Sequence, residues 1–238
     1  MNPDLIICWP QHLDYPLWRQ FIRENRADFD KVIIIFTQMN TTTGDYREFV
    51  RQSTLEDDII IKNNDPVSAE QDWRDVATNK ALWYSNNEWV FFTEQDFFIN
   101  KPADFWHMVK DLTDKNFEAI AYLQGDRAHP CCFFIKRHIL ETKTKKNFSV
   151  IPDVSDHFSR ITADLERKGI PIGYLKDTET RDIVLHMNAL SQNMFMMQQG
   201  KPPEFDAENF LAYLRQCLEA RVPLDTGFVE QVEEYLKK

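Results

Sequence analysis

The feature that most limits what this chain can fold into is a series of short apolar runs set apart by helix-length intervals. They are Leu5–Trp9, Val32–Thr37, Ile59–Lys62, Trp89–Phe92, Ala119–Leu123 and Cys132–Lys136. Each is rich in Ile, Val or Phe, and none alternates cleanly between apolar and polar positions. A strand with one wet face alternates, so these runs predict strands buried on both faces of a mainly parallel sheet. The intervals carry helix signals of their own. Asp14 can cap a helix with Pro16 in its first turn, after which Leu17, Trp18, Phe21 and Ile22 share a face. Ser68 and Gln71 form a capping-box pattern ahead of Trp73, Val76, Ala77, Ala81 and Tyr84, with Asn86-Asn87 placed to stop that helix in a left-handed conformation. Pro102 opens a further stripe of Phe105, Met108, Val109 and Leu112. Strands alternating with such helices predict an α/β fold.

Beyond Leu140 the pattern loosens. A helix is expected from about Asp156 to Lys168, stopped by Gly169, followed by a short strand at Ile172–Leu175. Gly200-Lys201-Pro202-Pro203 is the clearest break in the chain. Two helices are expected after it, about Ala207–Ala220 and Gly227–Leu236, suited to a lid, a buttress or a homodimer contact.

With 238 residues, 43% of them hydrophobic and 13% aromatic, the chain can bury a substantial core. Its formal net charge of -10 repels phosphate backbones, and the densest basic cluster is only Lys143-Thr144-Lys145-Lys146. Strong nonspecific nucleic-acid binding is therefore not expected. The sequence runs from Met1 straight into Leu5-Ile6-Ile7-Cys8 without a signal-like segment, and no apolar run approaches a membrane span, so a cytoplasmic location is expected. Cys8, Cys131, Cys132 and Cys217 lack the spacing of a zinc knuckle or a redox Cys-x-x-Cys motif and read as reduced, packed thiols.

The chemistry-bearing feature is Glu94-Gln95-Asp96, delivered by the strand Glu88–Phe92 to its carboxyl end, where open α/β sheets place ligands. Two carboxylates one residue apart can reach one hard cation, or divide between a ribose hydroxyl and the cation. The same acids can also simply cap the helix beyond Pro102.

The surroundings of this turn resemble the sugar-nucleotide half of family 2-like GT-A glycosyltransferases. Asn79 stands where that family carries an Asn, Asn87 where a Gly ends the helix, and Glu94-Gln95-Asp96 falls on its Asp-x-Asp motif without a gap. More loosely, Phe134–Arg137 resembles the strand after the acceptor loop, Asp156 through Gly169 the helix that begins with a base carboxylate, and Leu185–Asn188 the late segment whose His completes a metal site. The resemblance implies a Rossmann-like GT-A sheet, mixed but mainly parallel and flanked by helices. The domain would span 1–199, with a donor half over about 1–100 and an acceptor half over about 101–199, and a helical extension over 200–238. Where the family has Asp-Asn-x-Ser after its second strand, this chain has Thr37-Gln38-Met39-Asn40, and the first acid of the metal motif is Glu.

The resemblance also implies roles. Asp96 and His186 would ligate Mn2+ or Mg2+, and Glu94 with Gln95 would serve the donor. Pro10, Gln11 and Asp65 would lie near the nucleobase, and Asp75 and Asn79 near the sugar or diphosphate. Arg127 and His129 would lie on the acceptor side. An inverting transfer needs a carboxylate to take the acceptor proton, for which Asp156 is chosen and Asp153 held in reserve. The expected activity is metal-dependent transfer from a nucleoside-diphosphate sugar to a hydroxyl of a glycan, metabolite, protein or modified nucleobase. The alternatives are a nucleotidyltransferase of similar fold, against which Cys8-Trp9-Pro10-Gln11-His12 lacks the Gly and Lys of a triphosphate loop, and a noncatalytic nucleotide- or glycan-binding protein.

Overall fold

A computed structural model of the chain describes residues 1–8, 22, 25–37, 59–63, 73–94, 97–124, 127–148, 158–186, 193, 196–197, 199–203, 205–219 and 226–238. Seven strands form one sheet: β1 (Asp4–Cys8), β2 (Val32–Thr37), β3 (Ile59–Asn63), β4 (Trp89–Glu94), β6 (Ala119–Gln124), β7 (Arg127–Lys136) and β8 (Ile172–Lys176). Their order is β3-β2-β1-β4-β7-β6-β8. Only β7 runs against its neighbours; every other pairing in the sheet is parallel. A second sheet pairs β5 (Phe97–Ile99) antiparallel with β9 (Val184–His186).

The lack of alternation in the apolar runs has the expected physical cause. Leu5, Ile7, Val32, Ile34, Trp89 and Phe91 enter one core cluster, while Ile6, Cys8, Ile33, Ile35, Val90 and Phe92 enter the other. Successive side chains point to opposite faces of a strand, so only a doubly covered sheet buries both sets. One face is covered by α2 (Pro102–Asp114), α6 (Ala207–Glu219) and α7 (Thr226–Leu236), which put Phe105, Val109, Phe210, Leu214 and Val232 into the first cluster. The other is covered by α1 (Trp73–Leu82), α3 (Arg137–Lys143) and α4 (Ser159–Arg167), through Ala77, Ala81, Ile139, Leu140, Ile161 and Leu165. The short helix α5 (Asp177–Thr180) follows β8. The C-terminal helices are joined by an Arg215–Glu233 ion pair at 2.8 Å, and Tyr213 packs on Phe98 with ring centroids 5.5 Å apart. No helix among the described residues is long and apolar enough to cross a membrane.

Three local expectations are corrected. Neither Asn86 nor Asn87 has a positive φ; α1 ends at Leu82, and Tyr84, expected on its buried face, is exposed. The carbonyls left at that end are taken instead by Arg137, whose guanidinium donates to Leu82 O at 3.1 Å and to Ser85 O at 2.5 Å. The helix expected from Asp156 begins only at Ser159, because Phe158 sits in the left-handed region with φ 64° and breaks the helical path. Its end is as expected: Gly169 has φ 67°, and Ile170 N–H donates to Leu165 O at 3.0 Å. Finally, the small β5–β9 sheet was not expected from the sequence. The first crossover helix expected from Asp14 and the capping pair Ser68 and Gln71 lie outside the described residues, save for Ile22, which is buried.

The amino-terminal edge of the sheet is held by Asp4. Its buried carboxylate Oδ2 accepts from Ser85 Oγ at 2.7 Å, Asn86 N at 2.9 Å and Asn87 N at 3.0 Å, fixing the turn that feeds β4. Asp4→Ala strands these donors and is expected to lower stability by about 3 kcal/mol, as for a buried charged acceptor. Urea unfolding followed by circular dichroism checks this through a lower midpoint with an unchanged slope.

Candidate functional site

The strand ends that shape the site lie along one edge of the sheet. Parallel strands β1, β4 and β6 finish there at Cys8, Glu94 and Gln124, and β7 begins there at Arg127. The register Cys8↔Glu94 sets a buried thiol near a half-buried carboxylate. Burial pushes the Cys8 thiol well up from its ordinary value, and the Glu94 charge pushes it further. Cys8 therefore stays protonated and packed.

Between β6 and β7 the ladder is broken. β6 advances one residue from Ala121 to Tyr122 while its partner on β7 changes from Phe133 to His129. The extra residues include Pro130, which has no N–H to give to a ladder and is therefore found at bulges and edges. Such a bulge re-aims the side chains beside it. Here it brings His129 and Cys131 to His186 of β9, and ligand atoms of the three lie within 4.8 Å of one another. The two imidazoles lie 4.4 Å apart between centroids, at 59°. Cys131 N–H donates to His129 Nδ1 at 3.2 Å.

His186 reaches this place through the small sheet, where it pairs with Phe97, the residue directly after Asp96 in sequence. Its ring is walled by Tyr122 and Phe97, at centroid distances of 5.8 and 6.4 Å. His186 is half-buried as a residue, but its Nε2 is sealed and has no hydrogen-bond partner. Burial pulls its pKa down from 6.5 to about 4, with the Asp177 carboxylate opposing only in part. The ring is neutral at pH 7. A neutral buried imidazole with an unsatisfied nitrogen fits a metal contact.

Beside His186 lies a cavity of about 180 Å³, bordered by Tyr122, Asp177, Arg181, Asp206 and Asn209. Tyr122 donates its hydroxyl to Asp177 Oδ1 at 2.6 Å, and burial together with that bond holds the phenol protonated far above its usual range. This pair therefore acts as a wall and a positioning bond rather than as an acid–base couple near neutral pH.

The remaining expected residues are distributed as follows. Asp75 and Asn79 bind each other, Asn79 Nδ2 to Asp75 Oδ1 at 3.1 Å. They also hold the segment after α3: Asp75 Oδ1 accepts from Phe148 N at 2.6 Å, and Asn79 Nδ2 donates to Lys146 O at 3.0 Å. Both are thus tied into the wall of the sheet's second face. Pro10, Gln11, Asp65, Gln95, Asp96, Asp153 and Asp156 lie outside the described residues, as does the side chain of Arg127. Met197 is buried in the core. The grouping of Cys131 with the two histidines was not read from the sequence. Its signal was present in His129-Pro130-Cys131, since residues two apart on a strand share a face and the intervening proline marks a bulge.

No protein-family model matches this sequence, and neither does any curated protein. Solved structures do match. One is a mannosyltransferase from Pyrobaculum calidifontis, in complex with GDP-Man and Mn2+, at a TM-score of 0.57 and 14% identity over 98% of this chain and 69% of that one. Another is glucosyl-3-phosphoglycerate synthase from Mycobacterium tuberculosis, in complex with Mn2+, UDP-Glc and phosphoglyceric acid. It has a TM-score of 0.53 and 13% identity over 85% of this chain and 81% of that one. The chain has the GT-A fold. Within that GT-A sheet Glu94 ends the parallel strand that lies beside the reversed β7, and His186 pairs with Phe97 in the small sheet.

The depressed pKa of His186 has a consequence for stability. Between pH 6.5 and about 4 the unfolded chain carries a proton on this residue that the folded chain lacks, so unfolding takes up protons there. Stability is therefore lost as pH falls through that window, by about 3 kcal/mol from this group. Urea unfolding of metal-free protein at pH 7 and pH 4.5 measures the loss, and His186→Phe is expected to remove most of the part due to this residue.

Proposed function

We propose that this chain transfers a sugar from a nucleoside-diphosphate donor to a hydroxyl acceptor with the help of a divalent cation. The observation that carries the reading is the β5–β9 pairing, which ties His186, with its sealed and unpartnered Nε2, to the strand that continues from Glu94-Gln95-Asp96. The structures it resembles in fold were solved with Mn2+ and a sugar nucleotide, which supports the same class of ligand here.

Asp96 and His186 would hold the cation, and Glu94 with Gln95 would serve the donor, Glu94 at its ribose or beside the metal ligands. Mn2+ or Mg2+ at that place would offset the charge on the departing diphosphate. Pro10, Gln11 and Asp65 frame the base, and Asp75 and Asn79 support the donor side through the segment they hold. Arg127 and His129 face the acceptor. Asp156, or Asp153 in its stead, takes the acceptor's proton as its oxygen attacks the anomeric carbon, so the transfer inverts configuration. Phe158, two residues on, packs on Phe92 at 5.0 Å and on Phe133 at 5.6 Å. That contact anchors Phe158 to the strand that delivers Glu94. The thiols of Cys8, Cys131 and Cys132 suit a reducing, cytoplasmic setting.

Thermal unfolding with GDP-Man or UDP-Glc, each with and without Mn2+, tests the donor site. Selective binding raises the melting temperature of the native chain by roughly 2–4 °C for each kcal/mol of linkage, and only when metal is present. The shift is expected to vanish in Asp96→Ala; equal shifts in both proteins would overturn the site. For the base, Asp156→Asn should keep the donor-dependent shift while lowering the transfer rate by about 10²–10⁴, the range of a lost general base. An Asp156→Asn protein with native turnover moves that role elsewhere.

A further inference from the structure

We infer that His129, Cys131 and His186 form a nitrogen-and-sulfur metal site that takes a zinc-class divalent cation. The three donors come from separate parts of the chain, two from the bulged start of β7 and one from the end of β9. Their ligand atoms nevertheless converge within 4.8 Å. A tetrahedral ion with bonds of about 2.0–2.3 Å wants its donors about 3.5 Å apart, a separation that small side-chain rotations reach. Cys131 is buried and the histidines are half-buried, so the cluster is shielded from bulk water without being closed.

A second observation points to a ligand independently of that convergence. His186 Nε2 is sealed from solvent and has no hydrogen-bond partner, and leaving such a group unsatisfied is costly. A bond to a cation satisfies it. His129 meets a chemical condition as well, since an imidazole that ligates through one nitrogen carries its proton on the other. Its Nδ1 now accepts a long hydrogen bond of 3.2 Å from Cys131 N–H. Ligation through Nδ1 would exchange that bond for a metal bond. Cys131 binds as the thiolate, so its S–H proton is released to solvent as the sulfur–metal bond forms.

A donor set of two imidazoles and one thiolate favours zinc or cobalt over magnesium or calcium. The thiolate leaves the bound ion with one net positive charge, and three protein donors leave room for an oxygen ligand. On the reading of function above, on which this last step rests, that oxygen would come from a phosphate of the donor. The cation that serves the transfer would then be held by His129, Cys131 and His186, and its preference would move from manganese toward zinc and cobalt.

The test is a titration of the full chain, stripped of metal, with Co2+ followed by absorbance. One equivalent is expected to produce visible bands of tetrahedral cobalt and a near-ultraviolet sulfur-to-cobalt charge-transfer band, both displaced by Zn2+. Cys131→Ser is expected to lose the near-ultraviolet band. His129→Gln, at a half-buried position, is expected to weaken Zn2+ binding by at least about tenfold. Circular dichroism verifies that both variants fold. Absence of cobalt binding, absence of the near-ultraviolet band, or its survival in Cys131→Ser overturns the inference. Manganese-dependent stabilisation by a sugar nucleotide, persisting without the cobalt band, would overturn this site and leave the proposed function standing. An intact cobalt band with no response to any nucleotide would do the reverse.

Discussion

Strand β4 lies between a parallel neighbour on one side and an antiparallel one on the other, and the rest of the structure depends on that placement. Phe91 stacks on its register partner Phe134 of β7 with ring centroids 4.0 Å apart and planes 8° from parallel, while Phe92 points to the opposite core against Phe148 and Phe158. Two adjacent residues thus pin both helical layers to one strand. Reversing β7 beside β4 lets one strand end, at Glu94, meet another strand's beginning, at Arg127, on the same edge of the sheet. The candidate site occupies that meeting point.

Both ends of β4 are set by polar chemistry of different kinds. At the entry, Asp4 gathers three donors from the preceding turn, and Arg137 satisfies the carbonyls of the helix end, so the strand starts at a defined register. Beyond the exit, the imidazole of His186 keeps an unsatisfied Nε2 among aromatic walls. Asp4 pairs through Oδ2 alone, and its Oδ1, like His186 Nε2, has no hydrogen-bond partner. Tyr122 and Asp177 pair with each other. Their 2.6 Å bond braces the cavity beside His186 without offering a titratable proton near neutral pH.

The sheet was largely legible in the sequence because burial on both faces removes alternation, and Val32–Thr37 was read to the residue. The amphipathic stripe from Phe105 to Leu112 and the glycine stop at Gly169 were legible for equally local reasons. The errors are local signals overridden by distant partners. Asn86 and Asn87 have the chemistry of a left-handed stop, yet Asp4, more than 80 residues away in sequence, takes their amides in an ordinary conformation. A helix was expected from Asp156, yet it starts only at Ser159, after the left-handed Phe158, whose ring packs on Phe92 and Phe133. The three-residue strands β5 and β9 carry no periodicity long enough to recognise, since each is defined by the other.

For the site, the chain's own sequence determined the acidic turn: an apolar strand must end somewhere, and Glu94-Gln95-Asp96 stands directly after the residues that need burial on both faces. It also determined the bulge, because Pro130 has no amide to place in a ladder. What only the tertiary structure decided is which residues share that end of the sheet. His129 and Cys131 lie more than 50 residues before His186, and nothing in their spacing joins them. They meet because β7 is reversed beside β4 and β9 pairs with β5, two long-range choices made by the packing of whole layers rather than by any local preference.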